Sequence, residues 1–209
     1  MEVLERLSLG VLQVNTYIAA AGGECLVVDP GGPEVLEALE RLGCRDIVVA
    51  LTHGHFDHVA GVEHLAARGA VVAAHPQTPR VAEAYADLGV KMGYLKGVPR
   101  ISVDVELVDG STLRAAGLSL RAIHTPGHSP DHTVLYDQPQ GLAFTGDLIF
   151  RGSIGRVDIA LGDGEAMARS LARIVRELPR GTRLLPGHGP ETTLEYEILH
   201  NPFLQGFNQ

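Results

Sequence analysis

The chain has no surplus of basic charge. Lysine and arginine number 17 against 25 acidic residues, a net charge of -8. That argues against a nucleic-acid surface, because a phosphate backbone calls for a basic stripe. No apolar run approaches the roughly 18 residues that a membrane span requires. The opening Met1-Glu2-Val3-Leu4-Glu5-Arg6 has early acids and no apolar stretch, so no signal peptide is expected. Low-complexity tracts are missing, and apolar residues make up 45% of the chain, a composition that builds a core rather than staying disordered. Cysteine is scarce. Cys25 and Cys44 are the only two, and nothing in their spacing supports a disulfide or a metal role. They read as buried thiols of a reducing compartment, and a cytoplasmic location is expected. Oligomeric state has no signature in the sequence.

What the chain has in quantity is histidine, ten in all. Three of them fall in Thr52-His53-Gly54-His55-Phe56-Asp57-His58. Imidazole and carboxylate are first-row metal ligands. Residues two apart do not share a helix face, so His53 and His55 converge only from a loop. The preceding Asp46 to Leu51 is short, β-branched and apolar, as a buried strand should be, and Val59 to Arg68 reads as a helix stopped by Gly69. The cluster therefore lies where a strand hands over to a helix, the usual ligand position in an α/β sheet. Three later turns each carry one more ligand-type side chain after a probable strand: His128 in Thr125-Pro126-Gly127-His128-Ser129, Asp147 in Thr145-Gly146-Asp147, and His188 in Pro186-Gly187-His188-Gly189. Glycine and proline fix such turns and aim the side chain reproducibly. Five histidines and two aspartates are more than one tetrahedral zinc needs; they suit two metals with a bridging carboxylate.

Elsewhere strands and helices alternate. Val3–Leu9, Val11–Ala20 and Glu24–Asp29 read as strands, Glu34–Leu42 as a helix, Ala70–Ala74 as a strand and Val81–Leu88 as a helix. The second half predicts strands at Val103–Leu107, Leu118–Ile123, Thr133–Tyr136 and Leu142–Phe144. A helix over Asp163–Leu178 with Asp163 as N-cap follows, then an extended Leu184-Leu185 and a short helix over Thr192–Leu199. From pattern alone the class is α/β or α+β. The length suits one large domain or two small ones.

The ordered set His-x-His-x-Asp-His followed by His128, Asp147 and His188 resembles the metallo-β-lactamase superfamily, and within it the glyoxalase II group of hydroxyacylglutathione hydrolases. The resemblance covers nearly the whole chain and includes Asp29 in Leu26-Val27-Val28-Asp29-Pro30-Gly31. It implies one domain over residues 1–209, a four-layer αβ/βα sandwich of two similar β-rich halves, roughly 1–115 and 116–209. It also implies that His53, His55 and His128 hold one divalent ion, that Asp57, His58 and His188 hold a second, and that Asp147 bridges them. Zinc is the first expectation; iron and manganese suit the same donors. Asp57 would orient the nucleophile, with Asp29 and His132 bracing ligands from behind. Arg156 either binds a substrate carboxylate or pairs with Asp158. Tyr94 lies in the glycine-punctuated stretch from Gly89 to Pro99, a candidate flap. His64, His75, His124 and His200 carry no reading beyond their local place.

The implied reaction is hydrolysis of a small thioester or ester by metal-bound hydroxide. Glutathione-using relatives carry lysine and tyrosine where this chain has Arg156 and Asp158, a tyrosine where it has Pro190, and a further C-terminal helical domain. The chain therefore resembles the short forms of that group, and glutathione would be held by other contacts. Two alternatives remain: a mononuclear iron persulfide dioxygenase using His53, His128 and Asp147, and a non-catalytic metal-binding module.

Overall fold

The computed structural model describes residues 1–207. Its first sheet contains β1 (Val3–Leu9), β2 (Val14–Ala21), β3 (Glu24–Val28), β4 (Asp46–Ala50), β5 (Val71–Ala74) and β6 (Val105–Glu106), side by side in that order. The first three are antiparallel and the rest run parallel to β3. The second sheet draws on β7 (Thr112–Ala115), β8 (Leu118–His124), β9 (Thr133–Asp137), β10 (Leu142–Gly146), β13 (Arg183–Pro186) and β14 (Thr192–Thr193), in the order β14-β13-β10-β9-β8-β7. A small ribbon, β11 (Ile149–Phe150) with β12 (Ser153–Ile154), projects beside it.

Strand alternation explains the layering. In β3, Leu26 and Val28 face the second sheet and pack with Leu120, Leu135 and Phe144 in the central core. Cys25 and Val27 face the other way, against Val35 and Leu39 of α1 (Val35–Arg41) and Val62 and Leu65 of α3 (Val62–Ala66). On the far side of the second sheet, Val134, Tyr136 and Leu184 pack on Met167, Leu171 and Ile174 of α5 (Gly164–Glu177) and Ile198 of α6 (Leu194–His200). The central strands are covered on both faces, which is why Cys25–Val28 of β3 and Ile47–Ala50 of β4 read as continuous apolar runs, whereas β8 interleaves Ser119 and Arg121. The arrangement is the four-layer αβ/βα sandwich.

Several local expectations are corrected. The helix over Val59–Arg68 is two short ones, α2 (Phe56–Val59) and α3. The break is Gly61, whose N–H donates to Pro30 O at 2.7 Å and whose missing side chain lets it lie against the Pro30 and Gly32 carbonyls. That contact clamps α2 to the turn that follows Asp29. β2 starts at Val14 rather than Val11, because Gly10 and Gln13 take φ of 65° and 53° and close a tight turn. The helix expected over Val81–Leu88 is longer, α4 (Thr78–Lys91). β7 has no counterpart among the expected strands and pairs with β8, so the change of sheet falls before Thr112 rather than at residue 115. Asp163 caps α5, accepting from Ala166 N at 2.9 Å.

The cysteines are also corrected. Cys25 and Cys44 form a disulfide, with Cα atoms 5.7 Å apart. Cys25 faces the helical layer from β3, and Cys44 returns to the same layer just past the end of α1. Spacing along the chain hides this closeness. The thiol-based argument for a reducing compartment goes with it. No helix of the described residues is long and apolar enough to cross a membrane.

Candidate metal centre

The fold brings strand ends together at one edge of the sandwich. Asp29 follows β3, and the Thr52–His58 segment follows β4. His128 lies beyond β8, Asp147 directly after β10, and His188 two residues after β13. All seven sequence-predicted donors meet there. His53, His55 and His128 form one group, and Asp57, His58 and His188 another, with the donor atoms of each within 4.8 Å of one another. Asp147 lies between the groups. One oxygen is 3.4 Å from His58 Nε2; the other is 3.4 Å from His128 Nε2 and 3.7 Å from His188 Nε2.

Each ring is turned by what its outer nitrogen meets. His53 Nδ1 donates to Thr52 Oγ1 at 3.0 Å, and that hydroxyl donates to Asp29 Oδ2 at 2.6 Å. His58 Nδ1 donates to the same Asp29 oxygen at 2.9 Å. Asp29 Oδ1 accepts from Thr52 N at 2.8 Å. One carboxylate, held in a left-handed turn at φ 52°, thus orients a ring in each group. His128 Nδ1 donates to Arg156 O at 2.8 Å and His188 Nδ1 to Leu12 O at 3.1 Å. These four histidines therefore present Nε2 inward, whereas His55 presents Nδ1, 2.9 Å from His128 Nε2. His132 stands behind Asp147. Its Nε2 accepts from the Asp147 N–H at 3.1 Å, and its Nδ1 meets Thr125 Oγ1 at 2.9 Å. Glycine permits close approach at Gly54, where a side chain would strike Thr78 O and Ala82 N, and at Gly187, where one would strike Asp147 and His58.

Charge divides the two groups. Burial, then the surrounding imidazoles, push the His53 pKa well below its ordinary value. Burial and His128 bring His55 to about 3, and they do the same for His132. At neutral pH His53 and His55 keep lone pairs free for a cation, while His132 gives its own to the Asp147 N–H. Burial opposes charge on His58 too, but the Asp57, Asp147 and Asp29 carboxylates outweigh it and hold His58 well above the usual range. Asp57 and Asp147 are also buried, yet the neighbouring imidazoles hold both below the usual carboxylate range. A proton on His58 stands where a cation is wanted.

The donor set fits metal ions on a direct observation. Among the described residues, His53 Nε2, His55 Nε2, His58 Nε2 and Asp147 Oδ1 are buried without hydrogen-bond partners. Such groups are rarely left unpaired. Nor do the ion pairs of the described residues bring lysine or arginine to Asp29, Asp57 or Asp147.

Other residues took their places without being singled out by sequence. Asp131 accepts from Thr78 Oγ1 at 2.8 Å and Ser129 Oγ at 2.6 Å, tying the His128 turn to α4; burial raises its pKa. The Tyr85 ring lies 4.1 Å from His55, and its hydroxyl donates to Ala160 O. Asp131 and Thr52 sit beside ligand-type histidines, the one signal available. The Leu12 and Arg156 carbonyls had none, since any residue supplies a carbonyl. The Arg156 guanidinium is engaged by Asp158 at 2.8 and 3.0 Å on the exposed rim. Tyr94 packs edge-on against Phe56 at 5.2 Å and accepts from Leu12 N at 2.6 Å. The segment from Gly89 to Pro99 is thus fastened to both α2 and the β1–β2 turn.

With geometry and donors in place, the class is defined: residues 9–188 match the metallo-β-lactamase superfamily model, and the chain belongs to that superfamily of metal-dependent hydrolases. It is 32% identical over 207 residues to the probable metallo-hydrolase YqgX of Bacillus subtilis, covering 97% of this chain and 98% of that one. It is 31% identical to the hydroxyacylglutathione hydrolase GloC of Haemophilus influenzae, covering 85% and 86%. Among solved structures, BLEG-1 B3 metallo-β-lactamase superposes with a TM-score of 0.88 at 30% identity, covering 98% of this chain and 100% of that one. TTHA1623 in a di-iron-bound form gives 0.85 at 37% identity, covering 96% and 100%.

Proposed function

We propose that the chain holds two divalent ions, zinc by preference with iron or manganese as alternatives, and hydrolyses a small thioester of the S-lactoylglutathione kind or a related ester. The observation that carries this reading is the set of inward, unpartnered atoms, Nε2 of His53 and His58 and Oδ1 of Asp147, beside acids that no lysine or arginine among the described residues pairs with. His53, His55 and His128 would hold one ion, Asp57, His58 and His188 the other, and Asp147 both. The name of GloC supports the thioester class, and the di-iron form of TTHA1623 supports two ions.

When bound, such a pair of ions supplies a hydroxide at neutral pH and polarises the substrate carbonyl. The chain's own groups do the positioning. Asp57 accepts a hydrogen bond from the attacking oxygen and aims it at the carbonyl carbon. The new C–O bond forms and the C–S bond breaks, giving a carboxylic acid and a thiol from thioester and water. The leaving thiolate, whose parent thiol has a pKa near 8.5, departs without a general acid. Tyr94 keeps its own hydroxyl proton for a substrate oxygen, since its bond from Leu12 uses only a lone pair. Arg156 reaches a substrate carboxylate only by leaving Asp158.

The test is steady-state hydrolysis of S-D-lactoylglutathione by protein loaded separately with zinc, iron or manganese. The expected kcat/KM with the best metal is about 10⁴ M⁻¹s⁻¹ or more. Rates far below that with every metal would remove glutathione thioesters as substrates. The dioxygenase reading employs only His53, His128 and Asp147 and leaves Asp57, His58 and His188 idle. One iron per chain with oxygen uptake on a persulfide would replace the hydrolase by it, and inactivity in both assays would leave a non-catalytic metal-binding module.

A further inference from the structure

We infer that Tyr94 is a positioning residue for His188, acting through the Leu12 backbone, and so sets how tightly the second metal position is held. The inference rests on the binuclear reading above.

His188 differs from the other rings of the site. Its side chain is 26% exposed, against 0% for His58 and 5% for His128. Its main chain is well fixed. Asn15 N donates to Gly187 O at 2.7 Å, and the Asn15 amide donates to Pro186 O at 2.9 Å and Gly189 O at 2.8 Å. None of those bonds fixes the rotation of the imidazole. The inner Nε2 meets Asp57 Oδ2 at 3.2 Å, on the side where a metal would sit; the outer side is held by the bond from Nδ1 to Leu12 O, and Leu12 lies in an exposed turn. Val11 is 78% and Leu12 40% exposed. The turn's own closing bond, Gln13 N to Gly10 O, is 3.2 Å long.

Tyr94 supplies the missing restraint. Its hydroxyl accepts from Leu12 N at 2.6 Å, so the nitrogen of Leu12 is tied to Tyr94 while its carbonyl holds His188. The phenol is itself anchored, because its ring packs on Phe56 at 5.2 Å and its N–H donates to Gly89 O at 2.9 Å. Phe56 stands between His55 and Asp57 in the chain, so the latch ties the His188 side of the site to the helix that carries Asp57 and His58. Gly10 is shaped to it. A side chain there would overlap the Tyr94 ring edge and hydroxyl. Where the outer N–H of a ligand histidine loses its partner, metal affinity falls 10–100-fold. Tyr94 acts one residue further back, so the lower end applies.

The experiment strips the protein of metal with a chelator and titrates zinc back against a chromophoric competitor, reading stoichiometry and both affinities. Wild type, Y94F and G10A are compared, with a thermal melt of each. Y94F keeps the ring on Phe56 and deletes only the hydroxyl. Expected are two ions in wild type, and in Y94F an unchanged first affinity with a second weakened about ten-fold. G10A should act in the same direction by displacing the ring. Two ions with unchanged second affinity in Y94F, with or without a lower melting temperature, would make Tyr94 merely structural and overturn the inference alone. A wild-type stoichiometry of one would overturn the binuclear reading, and this inference with it.

Discussion

The two ligand groups stand a few ångströms apart and differ in how the chain supports them. His53, His55 and His128 are deeply buried imidazoles, and burial holds His53 and His55 neutral. Their outer partners differ: Thr52 is buried in the core, and the Arg156 carbonyl follows the buried Gly155 on a loop at the rim. Asp57, His58 and His188 are a charged mixture whose imidazoles are drawn toward protonation by the surrounding acids, and whose outermost member depends on a surface turn. The lesson is that one metal position is built by burial and the other by electrostatics and tethering. Burial of polar donors is robust once the core forms; a tethered donor is as good as its tether.

The strongest test of that contrast is Asp147, which serves both groups. Asp147→Ala removes the shared carboxylate, and hydrolysis should fall by about three orders of magnitude, the scale of losing a major electrostatic contributor. Metal analysis should find the second ion lost and the first retained but weaker. Undiminished turnover would sink the assignment of the site. Asp29→Ala comes next. It removes the acceptor for His58 Nδ1, Thr52 N and Thr52 Oγ1 together, and the expected loss of second-ion affinity is 10–100-fold. The first ion should weaken less, because Asp29 reaches His53 only through the Thr52 hydroxyl. Equal weakening of the two would break the contrast.

A control should move stability and leave both groups alone. Cys25→Ala with Cys44→Ala opens a covalent loop behind β3. A loop of this size contributes about 3 kcal/mol, worth roughly 6–12 °C in melting temperature for a chain this long. Calorimetry with and without reductant reads it. If zinc affinity at the second position fell as well, its tethering would run through the β3–α1 frame and not only through Asp29 and Leu12.

How much of this was visible in the sequence follows from the same distinction. The donors were legible because metal ligation restricts residue type and because turns with glycine and proline announce themselves; all seven converge. The apolar runs Cys25–Val28 of β3 and Ile47–Ala50 of β4 marked central strands, whereas buried β2 carries Asn15 and Thr16. The supports were not legible. Leu12 and Arg156 act through carbonyls, which every residue has, and Asp29's double role needs the return of the chain from β4. The split of α2 from α3 turns on Gly61 meeting Pro30, a contact that sequence distance conceals. The cystine was missed for the same reason: β3 and the end of α1 are brought together by the sheet, not by spacing.

The smallest expected effect concerns a histidine pair outside the site. His75 and His124 stack at 4.5 Å with planes 9° apart, one from each half of the sandwich. His75 Nδ1 accepts from Gln77 N at 3.2 Å, and His124 Nε2 donates to Pro130 O at 2.8 Å. Burial first, and His124 second, lower the His75 pKa to about 4. The sign follows from linkage. In the unfolded chain the ring titrates near 6.5, so the unfolded state binds the proton first. His75 therefore contributes stability that is fully present above about pH 6.5 and is lost as pH falls toward 4. Partial exposure keeps the effect modest. Denaturant midpoints across that window should fall with pH in the wild type and fall less steeply in His75→Gln, while zinc affinity measured at neutral pH stays the same in both. Parallel midpoint curves would show that the stack carries no charge penalty, and a changed zinc affinity would extend the supports of the site further along the seam between the two halves.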